Sequence, residues 1–199
     1  MVLIIIFIFL PIGLFSKNND LTIYFGDLSS GVIAKEVSGI MSYDAKTDGS
    51  IVLGFGIKRY LEKHYALEFE FINTLDLQDG VIDGGYFTSR HFLLNFIVQA
   101  ERYGFTPYIG FGLGLNNLRQ TSGFCDEGEC FKYSTLGFSW DYCGGIKIYF
   151  TRSFSINFDY KYIYTKINKK DLYLNQYHYY LFKDHLKVHS FLIGLSFSF

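Results

Sequence analysis

Proline, cysteine and tryptophan are scarce in this chain, with 2, 3 and 1 residues respectively among 199. Proline interrupts the hydrogen-bonded ladder of a sheet, so its scarcity favours a strand-rich fold. Charge of one sign is not in excess either, because 18 basic residues are balanced by 19 acidic ones. A net charge of −1 produces no overall field toward nucleic acid, and we expect no nucleic-acid partner.

Long hydrophobic runs are absent after the N-terminus, although hydrophobic residues make up 49% of the chain. The segment from Val2 to Phe15 is apolar, too short to span a bilayer as a helix, and as long as the core of a signal peptide. We predict a signal peptide at 1–16 and a mature domain at 17–199, with an uncleaved N-terminal anchor as the alternative. No cysteine lies near this segment, so a lipid-modified N-terminus is not expected.

Aromatic residues and glycine are abundant, with 22 phenylalanines, 17 tyrosines and 20 glycines. The stretch from His189 to Phe199, H-S-F-L-I-G-L-S-F-S-F, has a large side chain at nearly every second position and a small or polar one between. This period of two predicts a strand with one apolar face, suited to a wall between lipid and a crowded polar interior.

The same alternation recurs along the chain and predicts eight strands. They cover residues 21–26, 51–60, 65–72, 92–101, 106–116, 134–150, 154–164 and 189–199. Tight connections at 62–64, 102–105 and 151–153 alternate with long polar ones at 29–49, 73–89, 117–133 and 167–186. Strict alternation of long and short connections predicts an all-β, up-and-down antiparallel β-barrel with both termini at the short-turn end.

Two stretches carry a resemblance to a known family. The segment T-P-Y-I-G-F-G-L-G at Thr106 to Gly114 resembles a mid-barrel strand of the eight-stranded OmpA/OmpX-like outer-membrane β-barrels, and Thr151 to Tyr164 with the closing strand resembles their C-terminal hairpin. The resemblance implies a transmembrane barrel in the outer membrane, in contact with its lipid. It also implies that Phe197 and Phe199 form a signal for the barrel-assembly machinery, that the termini are periplasmic, and that the long loops are extracellular.

Charged residues within the predicted strands lie on the face opposite the large apolar residues. They are Lys58, Glu68, Glu70, Glu101, Asp141, Lys147, Asp159 and Lys161. A soluble lipocalin-like barrel would place its polar face in water, whereas a transmembrane barrel places it inside. Since an unpaired buried charge is costly, we predict an interior polar network. Side chains fill the interior of an eight-stranded barrel, which argues against a general diffusion pore.

The cysteines and histidines predict a disulfide but no catalytic or metal site. Cys125 and Cys130 flank an acidic loop segment of an exported protein, so a disulfide is predicted, with two free thiols as the alternative. Cys143 is predicted to point inward and to be unpaired. His178, His185 and His189 have no spacing typical of a catalytic or metal site. No catalytic residue, metal or cofactor is therefore predicted.

The predicted function is a non-enzymatic outer-membrane barrel that displays four extracellular loops, as an adhesin, a host-factor binder or a structural component. Tyrosines in the last long loop are candidates for contact with an extracellular protein ligand. They are Tyr173, Tyr177, Tyr179 and Tyr180. A narrow ion channel and an enzyme acting at the outer rim are the alternatives.

Overall fold

A computed structural model of the protein describes the backbone of residues 19–30, 34–38, 41–45, 48–77, 86–100, 104–126, 129–167, 172–175, 178–182 and 185–199. Within these ranges it describes the side chains of residues 19–29, 50–74, 88–100, 104–119, 134–167 and 185–199. The predicted signal peptide lies outside the described residues. No helix in the described ranges is long and apolar enough to cross a membrane.

The described backbone forms twelve strands. They are β1 Asn19–Ser30, β2 Ala34–Ser38, β3 Met41–Ala45, β4 Asp48–Glu62, β5 Tyr65–Leu77, β6 Tyr86–Gln99, β7 Phe105–Asp126, β8 Glu129–Tyr149, β9 Phe154–Ile167, β10 Leu172–Asn175, β11 His178–Phe182 and β12 His185–Ser198. Eight of them form a closed antiparallel barrel in the order β1-β12-β9-β8-β7-β6-β5-β4. The other four form a separate sheet in the order β10-β11-β2-β3, which we call the loop sheet.

The first and last strands close the barrel. Strand β1 pairs with β12, where Asp20 lies opposite Ser198 and Tyr24 opposite Gly194, and on its other side with β4. The strand predicted at 21–26 is thus 12 residues long. Pairing on both sides leaves no free edge in the barrel, which confirms the predicted eight-stranded, up-and-down architecture.

The barrel has two unequal ends. The end that contains both described chain ends and the connections after β4, β6 and β8 is called the turn end. Gly104 lies there, with a φ of 78° that only glycine adopts at little cost. We call loop end the opposite one, to which the loop sheet is connected. This arrangement confirms the predicted alternation of tight and long connections.

The content of the long connections was predicted incorrectly. Strands β7 and β8 extend to 22 and 21 residues through most of the supposed loop at 117–133, and β2, β3, β10 and β11 occupy parts of the connections at 29–49 and 167–186. Strands β2, β3, β10 and β11 are only four or five residues long, and the added parts of β7 and β8 lack a sustained alternation of large apolar and polar residues. An alternation of apolar and polar residues therefore does not reveal them.

The outer surface of the barrel is apolar. Leu94, Phe111 and Ile193 are 56%, 52% and 49% exposed, whereas the residues that alternate with them are mostly buried. Large apolar side chains facing outward over a buried polar interior are typical of a barrel in lipid. The inside-outside assignment made from the sequence is confirmed.

Candidate functional site: the barrel interior and the loop sheet

The interior next to the turn end contains nearly all the predicted network. Every predicted member is buried except Glu101, which lies outside the described residues. The buried members are Lys58, Glu68, Glu70, Asp141, Lys147, Asp159 and Lys161. Asp20 also belongs to this interior and is 1% exposed, but it was not predicted because the first strand was expected to begin at Leu21.

Asp20 forms a cluster at the turn end. Its Oδ2 is 2.5 Å from Lys147 Nζ and accepts a hydrogen bond of 2.5 Å from the Tyr60 hydroxyl. Its Oδ1 accepts a hydrogen bond of 2.6 Å from Ser198 Oγ. Because Ser198 lies in β12 and Lys147 in β8, this carboxylate connects the closing seam with the opposite wall. The Tyr60 side chain faces the interior, where its hydroxyl contacts this carboxylate.

Lys161 is the centre of a second cluster. Its Nζ donates to Glu70 Oε2 and lies 3.4 Å from Asp141 Oδ2. Glu70 Oε2 also accepts a hydrogen bond of 2.8 Å from Asn95 Nδ2. Gly112 lies beside this group, and a Cβ atom added there would overlap Asn95 Oδ1 and Asp141 Oδ1. The glycine therefore provides the space in which these side chains meet.

Tyrosines take part in the remaining pairings. Glu68 Oε1 is 3.9 Å from Lys58 Nζ and accepts a hydrogen bond of 2.8 Å from the Tyr24 hydroxyl. Asp159 accepts a hydrogen bond from the hydroxyl of Tyr108, whose ring centroid lies 4.7 Å from Lys58 Nζ. In the described interior, three lysines thus lie among five buried carboxylates. Hydroxyl and amide donors supply part of the stabilisation that amines would otherwise provide.

The interior next to the loop end is apolar. A continuous cluster of buried side chains from seven barrel strands fills it. Its members are Tyr24, Leu28, Val52, Ile72, Leu93, Leu118, Ile163, Ile167, Leu186, Val188 and Leu192. Water and ions would have to pass between close-packed hydrocarbon groups here. The buried lysines and carboxylates of the described interior therefore lie toward the turn end, whereas this half contains apolar side chains together with uncharged polar ones such as Thr74 and Ser190.

A small polar group is enclosed within this apolar half. Ser89 Oγ is 2.8 Å from His91 Nε2 and accepts a hydrogen bond of 2.5 Å from Asn116 Nδ2. His91 and Asn116 are fully buried, and Ser89 is 2% exposed. No group of three or more His, Cys, Asp or Glu side chains within the described part of the chain is arranged to hold a metal ion.

His178, His185 and His189 lie in other strands than His91. His189 is exposed on the outer wall, where its Nδ1 is 2.7 Å from the Tyr160 hydroxyl. The ring of His185 stacks on Tyr164 at a centroid distance of 5.5 Å. His178 is in β11, and its side chain lies outside the described residues. The two described histidines thus belong to an aromatic surface at the outer wall.

The cysteines occupy two environments. Cys143 is a buried free thiol, as predicted. Cys125 and Cys130 lie opposite each other in the β7–β8 pairing, but their side chains are outside the described residues. The disulfide between them stays a prediction.

The loop sheet contains most of the candidate binding tyrosines. Tyr173 in β10 lies opposite Tyr179 in β11, and Tyr180 lies opposite Leu172. The backbone of Tyr177 and the side chains of all four candidate tyrosines lie outside the described residues. Strand β11 pairs with β2, so the first and last long connections meet in one sheet. The sequence provided no sign of this pairing, which joins segments far apart in the chain.

The sequence matches the model of the family described as "Outer membrane protein beta-barrel domain" over residues 88–199, more than half of the chain. The chain belongs to this outer-membrane β-barrel family. The resemblance inferred from the closing strand and from Thr106 to Gly114 is thereby confirmed, and so is an integral location in the outer membrane. The apolar outer wall of this outer-membrane barrel is accordingly its lipid-facing surface.

Solved outer-membrane barrels share the fold. The chain is similar to Neisserial surface protein A, with a TM-score of 0.59 and 14% identity over 92% of this chain and 98% of that one. It is also similar to Ail, the attachment invasion locus protein of Yersinia pestis, with a TM-score of 0.53 and 14% identity over 92% of this chain and 99% of that one. Identity this low shows the fold alone. No curated protein matches the chain.

Proposed function

We propose that this outer-membrane barrel displays the loop sheet at the cell surface, where it binds an extracellular protein as an adhesin or host-factor binder. The observation that carries the proposal is the joining of the first and last long connections into one four-stranded sheet. Ordering two separate connections into one sheet costs conformational entropy. Connections that stayed unpaired would not lose this entropy. The main-chain hydrogen bonds of the sheet offset part of that cost, and the result is a defined surface that suits recognition.

The proposed orientation places the turn end in the periplasm and the loop end outside. Residues 1–16 are removed as a signal peptide in this proposal, and Phe197 and Phe199 present the closing strand to the barrel-assembly machinery. Short periplasmic turns and longer extracellular connections are typical of bacterial barrels of this type. This orientation gives the loop sheet access to extracellular proteins.

The backbone of the loop sheet suggests how a protein ligand would bind. Strands β10 and β3 are its two edges, and within the described residues each pairs on one side only. An extended segment of a ligand could add to such an edge by main-chain hydrogen bonds, with side chains providing specificity. Neisserial surface protein A and the Yersinia attachment invasion locus protein, which share this fold, are surface and attachment proteins by name.

Two features support a non-enzymatic and non-conducting role. The Ser89 and His91 pair is enclosed in the barrel, where no extracellular substrate has access. The apolar half of the interior lies across the path that ions would take. We infer that the barrel is a scaffold and that the function resides in the parts outside it.

The experiment is a binding assay on intact bacteria that express the protein. Adherence to a panel of immobilised extracellular-matrix and serum proteins is compared between the natural chain and a variant in which residues 172–182 are replaced by a Gly-Ser segment of equal length. Loss of adherence to one protein of the panel is expected. The matched control replaces residues 78–85, which join β5 to β6, and should retain adherence.

Protease digestion of intact cells, with heat-dependent gel mobility to verify folding, tests the orientation in the same samples. Cleavage within 168–184 is expected. Equal adherence of the 172–182 variant to every protein of the panel would refute the binding role, and cleavage only after permeabilisation of the outer membrane would refute the orientation.

A further inference from the structure

The seam between β1 and β12 joins the first and last strands of the barrel, so no turn between them sets their alignment. Main-chain hydrogen bonds do not set it either. A slip of two residues would keep the same side chains facing inward and form nearly the same ladder, and it would change only the stagger of the barrel. Side chains therefore have to select one register.

Inward-facing side chains lie closer together at this seam than outward-facing ones. Asn19 and Phe199 exchange both of their main-chain hydrogen bonds, at 3.1 and 2.9 Å, and thus form a hydrogen-bonded pair. Pairs with and without these bonds alternate along an antiparallel ladder, and the pairing from Asp20 to Ser30 is regular. The inward-facing pairs, of which Asp20 and Ser198 are the first, are therefore the non-hydrogen-bonded ones, with Cα atoms about 4.5 Å apart.

The first two inward-facing pairs are joined by hydrogen bonds. Ser198 Oγ donates a hydrogen bond of 2.6 Å to Asp20 Oδ1, and the hydroxyl oxygens of Thr22 and Ser196 are 2.7 Å apart. Asp20 is also held by Lys147 of the opposite wall, whose Nζ is 2.5 Å from Oδ2. Displacement of β12 along β1 would break both hydroxyl contacts and leave a buried carboxylate with one partner fewer.

The next two inward-facing pairs each combine a large residue with glycine. Tyr24 is opposite Gly194, and Gly26 is opposite Leu192. A Cβ atom added at Gly194 would lie 2.9 Å from Tyr24 Cε1, and one at Gly26 would lie 2.7 Å from Leu192 Cδ2, so each glycine makes room for the residue opposite. A slip of two residues would place the Tyr24 ring opposite Ser196 or Leu192, where this room is missing.

The outward-facing pairs do not distinguish one register from another in this way. Three consecutive pairs have large apolar residues on both strands, namely Leu21 with Phe197, Ile23 with Leu195, and Phe25 with Ile193. After a slip of two residues, apolar side chains would again lie opposite apolar side chains. The inner face of the seam therefore carries the information on register.

The same two strands lead directly into the loop sheet. Residues 31–33 join β1 to β2, and residues 183–184 join β11 to β12. Beyond these short connections β2 pairs with β11, with Ala34 opposite Phe182. A connection of two or three residues can absorb little displacement. A slip at the seam would therefore displace β2 along β11.

We propose that the inner face of the seam selects the register in which the barrel closes and thereby aligns β2 with β11 in the loop sheet. Asp20, Thr22, Tyr24 and Gly26 are the positioning residues of β1. A single closing register gives every copy of the protein the same loop sheet. The consequence for a protein ligand rests on the proposed function, whereas the selection of the register does not.

The experiment measures the register of the full-length barrel in nanodiscs by NMR, from contacts between the Hα atoms of opposite residues. In the natural chain, position 22 should contact position 196 alone. The Asp20→Ala/Thr22→Ala/Tyr24→Ala variant removes the inner-face interactions of three pairs. Contacts of position 22 with position 194 or 198 should then appear, with a rise of roughly tenfold in the population of the slipped register.

The matched control is Leu21→Ala/Ile23→Ala/Phe25→Ala, which removes three larger side chains from the outer face of the same strand and should keep a single register. Asp20→Asn/Thr22→Val is a milder inner-face variant that keeps the side-chain shapes, and it should show the slipped contacts at a lower level. It replaces the triple variant if that chain does not fold. A single register in the inner-face variants, or an equal slip in the outer-face control, would overturn the proposal.

Hydrogen exchange of the main-chain amides in β2 and β11 tests the link to the loop sheet in the same samples. Exchange in both strands should become faster in the inner-face variants and stay unchanged in the outer-face control. A slipped seam with unchanged exchange would refute the alignment of the loop sheet by the seam. Neither measurement needs a ligand, so loss of the proposed binding role would leave this inference intact. A single register in every variant, with retained adherence of the natural chain, would remove only the inference.

Discussion

In the half of the barrel interior next to the turn end, three lysines lie among five carboxylates, whereas the half next to the loop end contains packed aliphatic side chains such as Val52, Leu93 and Ile163. Both halves lie inside the same eight-stranded barrel, and the side chains of both are buried. Their sensitivities differ, however. A charged cluster depends on every partner being present, because a single deletion leaves a buried charge without compensation. An apolar cluster depends on volume, because its contacts have no direction.

This difference is sharpest at Lys161, which contacts both Glu70 and Asp141. The Lys161→Met substitution leaves two buried carboxylates without their amine, and we expect the barrel to lose about 3–5 kcal/mol of unfolding free energy. Urea unfolding in detergent micelles, followed by Trp140 fluorescence, measures the change. Lys166→Met, the same exchange on the exposed outer wall, is the control and should stay within about 0.5 kcal/mol. A small effect at Lys161 would mean that the carboxylates are not ionised together.

Leu93 tests the apolar half. The Leu93→Ala substitution removes buried methyl groups and leaves a cavity in the cluster, with an expected loss of about 2–4 kcal/mol. Its chain neighbour Leu94 is 56% exposed on the outer wall, where lipid can fill the vacated space. Leu94→Ala should therefore cost about half as much, since only the transfer contribution remains. Equal losses in the same urea titration would indicate that the apolar half is not close-packed.

Gly112 tests the space between the charged side chains. A methyl group there overlaps Asn95 Oδ1 and Asp141 Oδ1, so Gly112→Ala should destabilise the barrel by about 1–3 kcal/mol. Gly144→Ala on the outer wall introduces only ordinary contacts and should be neutral within about 0.5 kcal/mol. Thermal loss of the compact gel mobility would rank the two variants. A tolerated Gly112→Ala would show that the Lys161 cluster can rearrange.

Tyr60 tests the hydrogen bonds of one hydroxyl in the charged half. Tyr60→Phe removes the hydroxyl that donates to Asp20 and accepts a hydrogen bond of 3.2 Å from Lys147 Nζ, while Lys147 and Ser198 still contact the Asp20 carboxylate. The expected loss is about 1–2 kcal/mol, a value typical of a hydrogen bond to a charged group. Tyr65→Phe on the exposed outer wall is the matched control and should have little effect. A loss at Tyr60 that matches the control would assign the stability of Asp20 to Lys147 alone.

Removing the charges of the Lys161 cluster is expected to leave ion conductance unchanged. The triple variant Lys161→Met/Glu70→Gln/Asp141→Asn removes the charges of one cluster while the apolar half stays closed. In planar bilayers both this variant and the natural chain should lack steady conductance. A current that appears only in the variant would show that the charged half, rather than the apolar half, blocks the barrel.

Much of the fold could be predicted from local pattern. The alternation from Phe154 to Tyr164 and from His189 to Phe199 specifies which face meets lipid, because the side-chain period of a strand is two. The same alternation identified the buried lysines and carboxylates from Lys58 to Lys161. It missed Asp20, because the first strand was predicted to begin at Leu21, one residue after it. It also missed β2, β3, β10 and β11, which lie beyond the apolar belt.

The sequence by itself determined the barrel, the number of its strands and their faces, because each follows from hydrophobic periodicity and connection length. The outer membrane was implied by the resemblance to a known family. The tertiary structure decided the partners. Lys161 with Glu70, Asp20 with Lys147, and β11 with β2 meet across long distances in the chain. The tilt and register of a closed sheet determine which inward side chains meet, and no local pattern encodes them. For the same reason, the separation of the interior into a charged and an apolar half emerged only from the assembled barrel.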